Sequence, residues 1–279
     1  MNRETIYNPY EIVYEKLDES PKYGHKHLFF ELVYILSGTG KQCINNNKFD
    51  YRPGHMFLIT PEDCHSFEIE TTTEFFFLRF GNVYIRSKDF NTGDVQRMEY
   101  ILQNASHQAG CILKNQSDKP FIKSLIQAVI AEHLNHDLYN KELITKMVDT
   151  MIVVVARNIA KYMPAAVKED AEEKTLALLN YIQANIYNPE KLRAEKLSRE
   201  FGISENYFGK YFKKHTNETL QQYIANLRIK LIEARLRFSN MRINEIAYEL
   251  GFTDESHLNK FFKSQKGLSL KAFRSAVAS

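Results

Sequence analysis

The chain has no tryptophan and only three cysteines among its 279 residues. Cys43, Cys64 and Cys111 are scattered, with no C-x-x-C pair, which argues against a disulfide framework and against a zinc knuckle. The opening MNRETIYNPYEIVYEK lacks an apolar core, so no signal peptide is expected there. The longest apolar run near a helix, Met151 to Ala156, is far too short to span a bilayer. The expectation is a cytoplasmic protein with no membrane segment. A strong excess of charge is also missing: the net charge is +3. That balance is uneven, however. Residues 171–279 hold 18 Lys+Arg against 12 Asp+Glu, and residues 1–170 hold 19 against 22. A basic part beside a mildly acidic one fits a nucleic-acid-binding module joined to a domain with another task. The hydrophobic fraction of 44% and charged fraction of 25% are ordinary for a globular protein. The length allows two domains, each with a core.

What is present is most informative between Ile243 and Arg274. Ile243, Ile246, Ala247 and Leu250 fall at i, i+3, i+4 and i+7, one face of a helix. Gly251 then suits a helix C-terminus and Asp254 suits the N-cap of a second helix. Leu258, Phe261 and Phe262 give that helix its buried side. Helix, glycine turn and helix is the layout of a DNA-reading helix-turn-helix, although an ordinary αα-hairpin has the same outline. A second copy lies at Leu192 to Lys214. Ser198 stands four residues before Gly202, Ser204 is the expected N-cap, and Phe208 and Phe212 align with Leu258 and Phe262. The turn is one residue shorter in this copy. Between the copies, Leu220, Ile224, Leu227, Leu231, Ala234 and Phe238 are spaced 4-3-4-3-4, which predicts one long helix over Thr219 to Phe238. Two units on such a strut would place reading helices in successive major grooves, about 34 Å apart.

The residues Ile246-Ala247-x3-Gly251-Phe252, Leu258, Phe262-Lys263, Gly267, Ser269 and Phe273-Arg274, with Tyr223 and Leu227-Arg228 before them, resemble the DNA-binding domain of the AraC/XylS transcription regulators. Leu270 stands where that family usually has Pro, and Leu258 where it often has an aromatic; both sit on the packing side. The resemblance covers about 100 residues and implies double-stranded promoter DNA as a partner. It also implies contact with RNA polymerase if the protein is an activator. The candidate DNA-binding residues are Asn206, Gly209, Lys210, Lys213 and Lys214 in the first unit. In the second they are Glu255, Ser256, Asn259, Lys260 and Lys263. Glu255 suits a cytosine amino group, or simply the positive end of its helix. Lys213, Lys214 and Lys263 suit phosphates or solvent.

Residues 24–80 read as short strands, LFFELVYIL, MFLIT, SFEIE and EFFFLRF, broken by SGTG, NNN, RPG and PED. A sandwich or barrel is expected. If the strand is unbroken, His25, His27, Phe29, Glu31 and Val33 share one face. Pro61-x3-His65 follows, with Phe67 and Ile69 at the same alternation. This pattern resembles the two cupin motifs, the second being incomplete because Asp63 occupies the usual Gly position. His25, His27, Phe29, Glu31 and His65 are the candidate effector-binding residues. His25, His27, Glu31 and His65 would also suit a divalent transition metal, while the alternative is that they hydrogen-bond a polar ligand or one another. No cofactor is required by this reading.

VYIRSKDF is expected to continue the sheet and MEYILQNA to begin a helix. In the next helix Phe121, Leu125, Ile126, Val129, Ile130 and His133 are expected on one side. The following helix, Lys141 to Tyr162, is apolar nearly all round at MIVVVA and needs cover on both sides. That favours a homodimer through residues 119–163. The fold class is therefore α+β multidomain. A cupin-like barrel with two helices occupies residues 1–163, a linker 164–174, and an all-α domain with two helix-turn-helix motifs 175–279. The expected function is transcription regulation by a sensor of a small molecule. The aromatic and carboxylate lining favours a sugar or another hydroxylated compound. The rival is a metal-dependent cupin enzyme with an appended DNA-binding domain. No catalytic residue is assigned.

Overall fold

In the computed structural model, which describes residues 6–19, 24–61, 63–87, 92–103, 105, 110–135, 137–161 and 173–278, the strand-rich part falls into two sheets. The chain divides into two units, Met1–Met163 and Pro164–Ser279. In the first, β1 (Tyr10–Leu17), β7 (Thr73–Phe80), β2 (Phe30–Ser37) and β5 (Met56–Ile59) form a four-stranded antiparallel sheet in that order. β4 (Asn47–Tyr51), β3 (Gly40–Ile44) and β6 (His65–Ile69) form a three-stranded one. Asn45 and Asn46 join β3 to β4 with φ of 47° and 65°. Asparagine tolerates that left-handed region, and two such residues make the hairpin turn whose twist matches the strands.

The burial patterns explain the sequence texture. β4 alternates buried and exposed residues, as a strand with one wet face should. β2 is buried at six successive positions, because both faces of the four-stranded sheet are covered. Phe75 and Phe77 point to the three-stranded sheet, where the Phe67 ring lies 4.8 Å and 6.2 Å from theirs. Phe76, Leu78 and Phe80 point the other way and are equally buried. Tyr10, paired with Phe80, meets the Tyr84 ring at 5.3 Å and donates or accepts a hydroxyl bond with Thr145 at 3.0 Å. Helical residues therefore cover the outer face.

Those helices are α1 (Asn82–Arg86), α2 (Thr92–Gln103), α3 (Asp118–Asn135) and α4 (Asn140–Ala160). This corrects three expectations. VYIR forms a helix and does not continue the sheet: Tyr84 and Ile85 are buried side by side, which a strand cannot do with one covered face. Among the described residues the first unit carries four helices and not two. On α3 the inward residues are Ile122, Ile126 and Val129, while Phe121 is 47% exposed and His133 is exposed. Within MIVVVA only Val153 is exposed, so one chain supplies the cover for the rest. Asn158, fully buried on α4, accepts from the Lys114 and Asn115 backbone and donates to Asp118, tying the chain before α3 to α4.

The second unit comprises α5 (Glu173–Ala184), a 3-10 turn (Pro189–Leu192), α6 (Ala194–Glu200), α7 (Glu205–Thr216), α8 (Leu220–Phe238), α9 (Ile243–Glu249), α10 (Glu255–Lys266) and α11 (Leu270–Ala278). α8 opens with a capping box between Thr219 and Gln222. Its buried residues are Tyr223, Leu227, Ile229, Leu231, Ile232, Arg235 and Leu236. The expected single stripe is corrected: α8 packs against both α7 and α11, so it buries two faces and leaves Ile224 and Ala234 at their edges.

Candidate effector site and DNA-reading surface

At one end of the barrel three side chains converge. His27 comes from the segment before β2, Glu31 from β2 and His65 from the start of β6, and all are at most 2% exposed. Their ligand-capable atoms lie within 4.8 Å of one another. Glu31 Oε2 stands 3.1 Å from His65 Nε2 and 3.9 Å from His27 Nε2. Glu31 Oε1 accepts from Arg79 Nε at 2.8 Å. Burial alone would push the Glu31 carboxyl up, but the His65 hydrogen bond and the nearby charges of His65, Arg79 and His27 prevail and hold it at about 2. Desolvation lowers His27 to about 4, so its ring is neutral at physiological pH.

The strand is not unbroken, as the alternation argument required. His25 and His27 form only isolated pairings, the chain bends at Leu28–Phe29, and β2 starts at Phe30. His25 still exchanges backbone bonds with His65, at 3.1 and 3.0 Å, which anchors the start of β6. Its ring lies 4.2 Å from that of His65 but stands outside the three-residue cluster. Phe29 stacks on His27 at 4.2 Å and 5°. Asp63 stands before His65 as a structural residue. Its carboxylate accepts from the Thr60 backbone and hydroxyl and from Asn45, closing the β5–β6 turn.

Three inward polar residues were missed from sequence. Arg79 shares the face of Glu31, its register partner, and its guanidinium lies 5.8 Å from the Phe29 and Phe77 rings. The alternation Phe75-x-Phe77-x-Arg79 was the available signal. Gln42 pairs with Phe49 and Phe67, and Asn47 reaches the face of His65 through Ile44. Both are buried, and neither Gln42 Oε1 nor Asn47 Oδ1 has a hydrogen-bond partner among the described residues.

In the second unit both turns are built alike. α6 and α9 each end on a glycine at positive φ, Gly202 at 57° and Gly251 at 71°. The Ile203 and Phe252 N–H groups then donate to Ser198 O and Ala247 O, both at 2.9 Å, the Schellman arrangement. Asn206, Gly209, Lys210, Lys213 and Lys214 are exposed along α7. Glu255, Ser256, Lys260 and Lys263 are exposed along α10. Asn259 is half-buried and its Oδ1 accepts from Leu270 N at 3.1 Å, so one lone pair of that oxygen is committed to the fold. Tyr207, 47% exposed, and His257, exposed with Nδ1 3.2 Å from Thr253 Oγ1, lie in the same first turns and were not singled out. A β-carbon at Gly209 would meet nothing within 4 Å.

Comparison with known proteins follows this division. Residues 9–145 match the AraC-like ligand binding domain, and residues 197–276 match a helix-turn-helix domain. The chain belongs to the AraC family of transcription regulators. Among relatives of this AraC-family protein, the HTH-type transcriptional activator RhaS of Mannheimia succiniciproducens is 26% identical over 254 residues, 90% of this chain and 88% of that protein. The Msm operon regulatory protein of Streptococcus mutans is 25% identical, covering 89% and 84%. The solved structure of ToxT from Vibrio cholerae is 15% identical, with a TM-score of 0.35 over 98% of this chain and 100% of that one. In this AraC-family chain the ligand-binding match spans His27, Glu31, His65 and Arg79, and the helix-turn-helix match spans α7 and α10. Among the described residues no helix is long and apolar enough to cross a membrane.

Proposed function

We propose that this regulator binds a hydroxylated small molecule, a sugar or another polyol, inside the first unit, and that occupancy changes how α7 and α10 engage promoter DNA. The observation that carries the ligand class is the pair of buried, unpartnered acceptors, Gln42 Oε1 and Asn47 Oδ1, on the face that also bears Phe67 and Tyr51. Hydroxyl groups donate to such oxygens, and a buried acceptor left alone is costly. Aromatic faces suit the C–H surface of the same ligand. The protein acts in the cytoplasm, contacts RNA polymerase if it is an activator, and performs no chemistry; its work is differential binding. Turnover of the bound compound would instead favour the metal-dependent enzyme.

The protein acts as a homodimer, for a reason different from the one the sequence suggested. Leu143, Met147 and Val153 recur on one side of α4, with Leu143 and Val153 exposed by 48% and 44%. Beside it α3 exposes Phe121 and Leu134. Light scattering of the full chain should give a dimer mass, and Leu143→Asp with Val153→Asp should give a monomer.

The experiment that tests the function is a thermal-shift screen of sugars and polyols, run beside operator titration. A native-state ligand raises the melting temperature. Lys210→Ala with Lys260→Ala should weaken operator binding roughly 10-fold or more and flatten its salt dependence. Unchanged affinity in a folded double variant would remove both lysines from the interface.

A further inference from the structure

We propose that His27, Glu31 and His65 bind one divalent transition-metal ion, and that this ion forms part of the effector site. The proposal deepens the effector reading and rests on it for the ion's role, not for its binding. Three observations carry it. The first is convergence: three side chains able to ligate, all buried, come together from three segments of chain. The second is an unmet need. Neither ring nitrogen of His27 has a hydrogen-bond partner among the described residues. The Phe29 backbone lies near enough to pull the His27 pKa slightly upward, but not in hydrogen-bond geometry. A buried imidazole in that state is costly, and a neutral one offers a lone pair.

The third is spacing. Two donors that share an ion at the usual 2.0–2.2 Å stand roughly 3–3.5 Å apart. The two imidazoles stand 3.1 and 3.9 Å from the same carboxylate oxygen, so they bracket that span. A pure hydrogen-bond network would explain the His65 contact, but it leaves the 3.9 Å gap to His27 unfilled. The surroundings suit a metal as well. Arg79 holds the other Glu31 oxygen, and the His25 backbone pins His65, which are the outer contacts that fix ligands in place.

The donor set selects the ion. Two imidazoles and a carboxylate suit zinc, iron, cobalt or nickel, whereas calcium and magnesium prefer oxygen alone and copper(I) prefers sulfur. Three protein ligands leave room for groups from outside the chain. Hydroxyls of a polyol can take those positions while Gln42 and Asn47 accept from others.

The test uses tag-free full-length protein, stripped with chelator and then exposed to Zn2+ or Co2+. After gel filtration, elemental analysis should find about one equivalent per chain, and the Co2+ form should show a visible ligand-field absorption. Glu31→Gln keeps the shape of the side chain and should lose the ion, as should His27→Ala. Arg79→Leu should weaken binding about 10–100-fold. His133→Ala, an exposed change on α3, should bind as wild type. Operator binding and circular dichroism check that each variant is folded. A wild-type protein that retains no ion, or a folded Glu31→Gln protein that retains the full amount, overturns the proposal. The same stripped and loaded samples are screened against polyols. A polyol shift without metal binding overturns the metal site and leaves the effector reading standing. Metal binding without a polyol shift does the reverse.

Discussion

In both helix-turn-helix units the first helix stops on a left-handed glycine, and the next N–H reaches back five residues. Beyond that shared stop the two differ. In the second unit Asp254 caps α10 by accepting from His257 N at 2.8 Å, and Asn259 ties α10 to the start of α11. Arg235 of α8, almost wholly buried, makes two bonds to Glu249 of α9, at 2.8 and 2.6 Å. The first unit has Ser204 at the cap position with no side-chain bond. Its tie to a neighbouring helix is a neutral one, the Tyr211 and Thr175 hydroxyls at 3.0 Å. Its reading helix also contains Gly209, exposed and mid-helix. The second unit is fixed by charge and caps, whereas the first keeps a bare stretch of backbone facing outward. α10 is thus framed by charged and capping side chains, whereas α7 carries an exposed glycine with open space around it.

The largest expected effect that would break this contrast concerns the buried ion pair. Arg235→Met leaves Glu249 without its partner. Because the Glu249 side chain is 26% exposed, the loss should fall toward the lower end of about 3–5 kcal/mol. Tyr211→Phe in the first unit should cost about 1 kcal/mol. Denaturant unfolding of the full chain, followed by a probe in the helical domain that holds both helix-turn-helix motifs, measures both, and equal losses would erase the distinction.

Next come the two glycines. Gly202→Ala should cost about 1–2 kcal/mol for a side chain in the left-handed region. Gly251→Ala should cost more, since its β-carbon would lie 2.6 Å from Pro189 Cγ while nothing lies within 4 Å at Gly202. Melting temperatures of the two variants give the order directly.

The smallest effect is the sharpest. Gly209→Ala should stabilise the protein by about 0.5–1 kcal/mol, because alanine suits a helix interior better. If bare backbone at α7 meets DNA, the same variant binds its operator more weakly. A variant that gains both stability and affinity would mean that Gly209 stays clear of the duplex.

The helical unit was legible because glycine stops, caps and 3.6-residue spacing are local signals. Even so, the seam of α8 was misread: periodicity reports a preferred face, and a helix between two neighbours has two. The same blindness to neighbours placed Phe121 inside in place of Ile122. VYIR was too short for its period to separate strand from helix. The polar end of the barrel was partly readable. Alternation put His27, Phe29 and Glu31 together, and they do meet, but through a bend at Leu28 and not along a straight strand. Gln42 and Asn47 escaped notice because only cross-strand register reveals which strands share an interior, whereas Arg79 was legible in its alternation with Phe75 and Phe77.

The double cover of the four-stranded sheet sets a practical boundary for dissecting the molecule. Phe30, Leu32, Phe76, Leu78 and Phe80 form one broad apolar sheet face that is dry only while helical residues lie over it. A truncation that kept the strands and ended before α4 would lay that face open to water beside an edge strand, a template for aggregation. Soluble fragments of the sensor should therefore run through Ala160, and a shorter piece that precipitates would say nothing about its affinity for an effector.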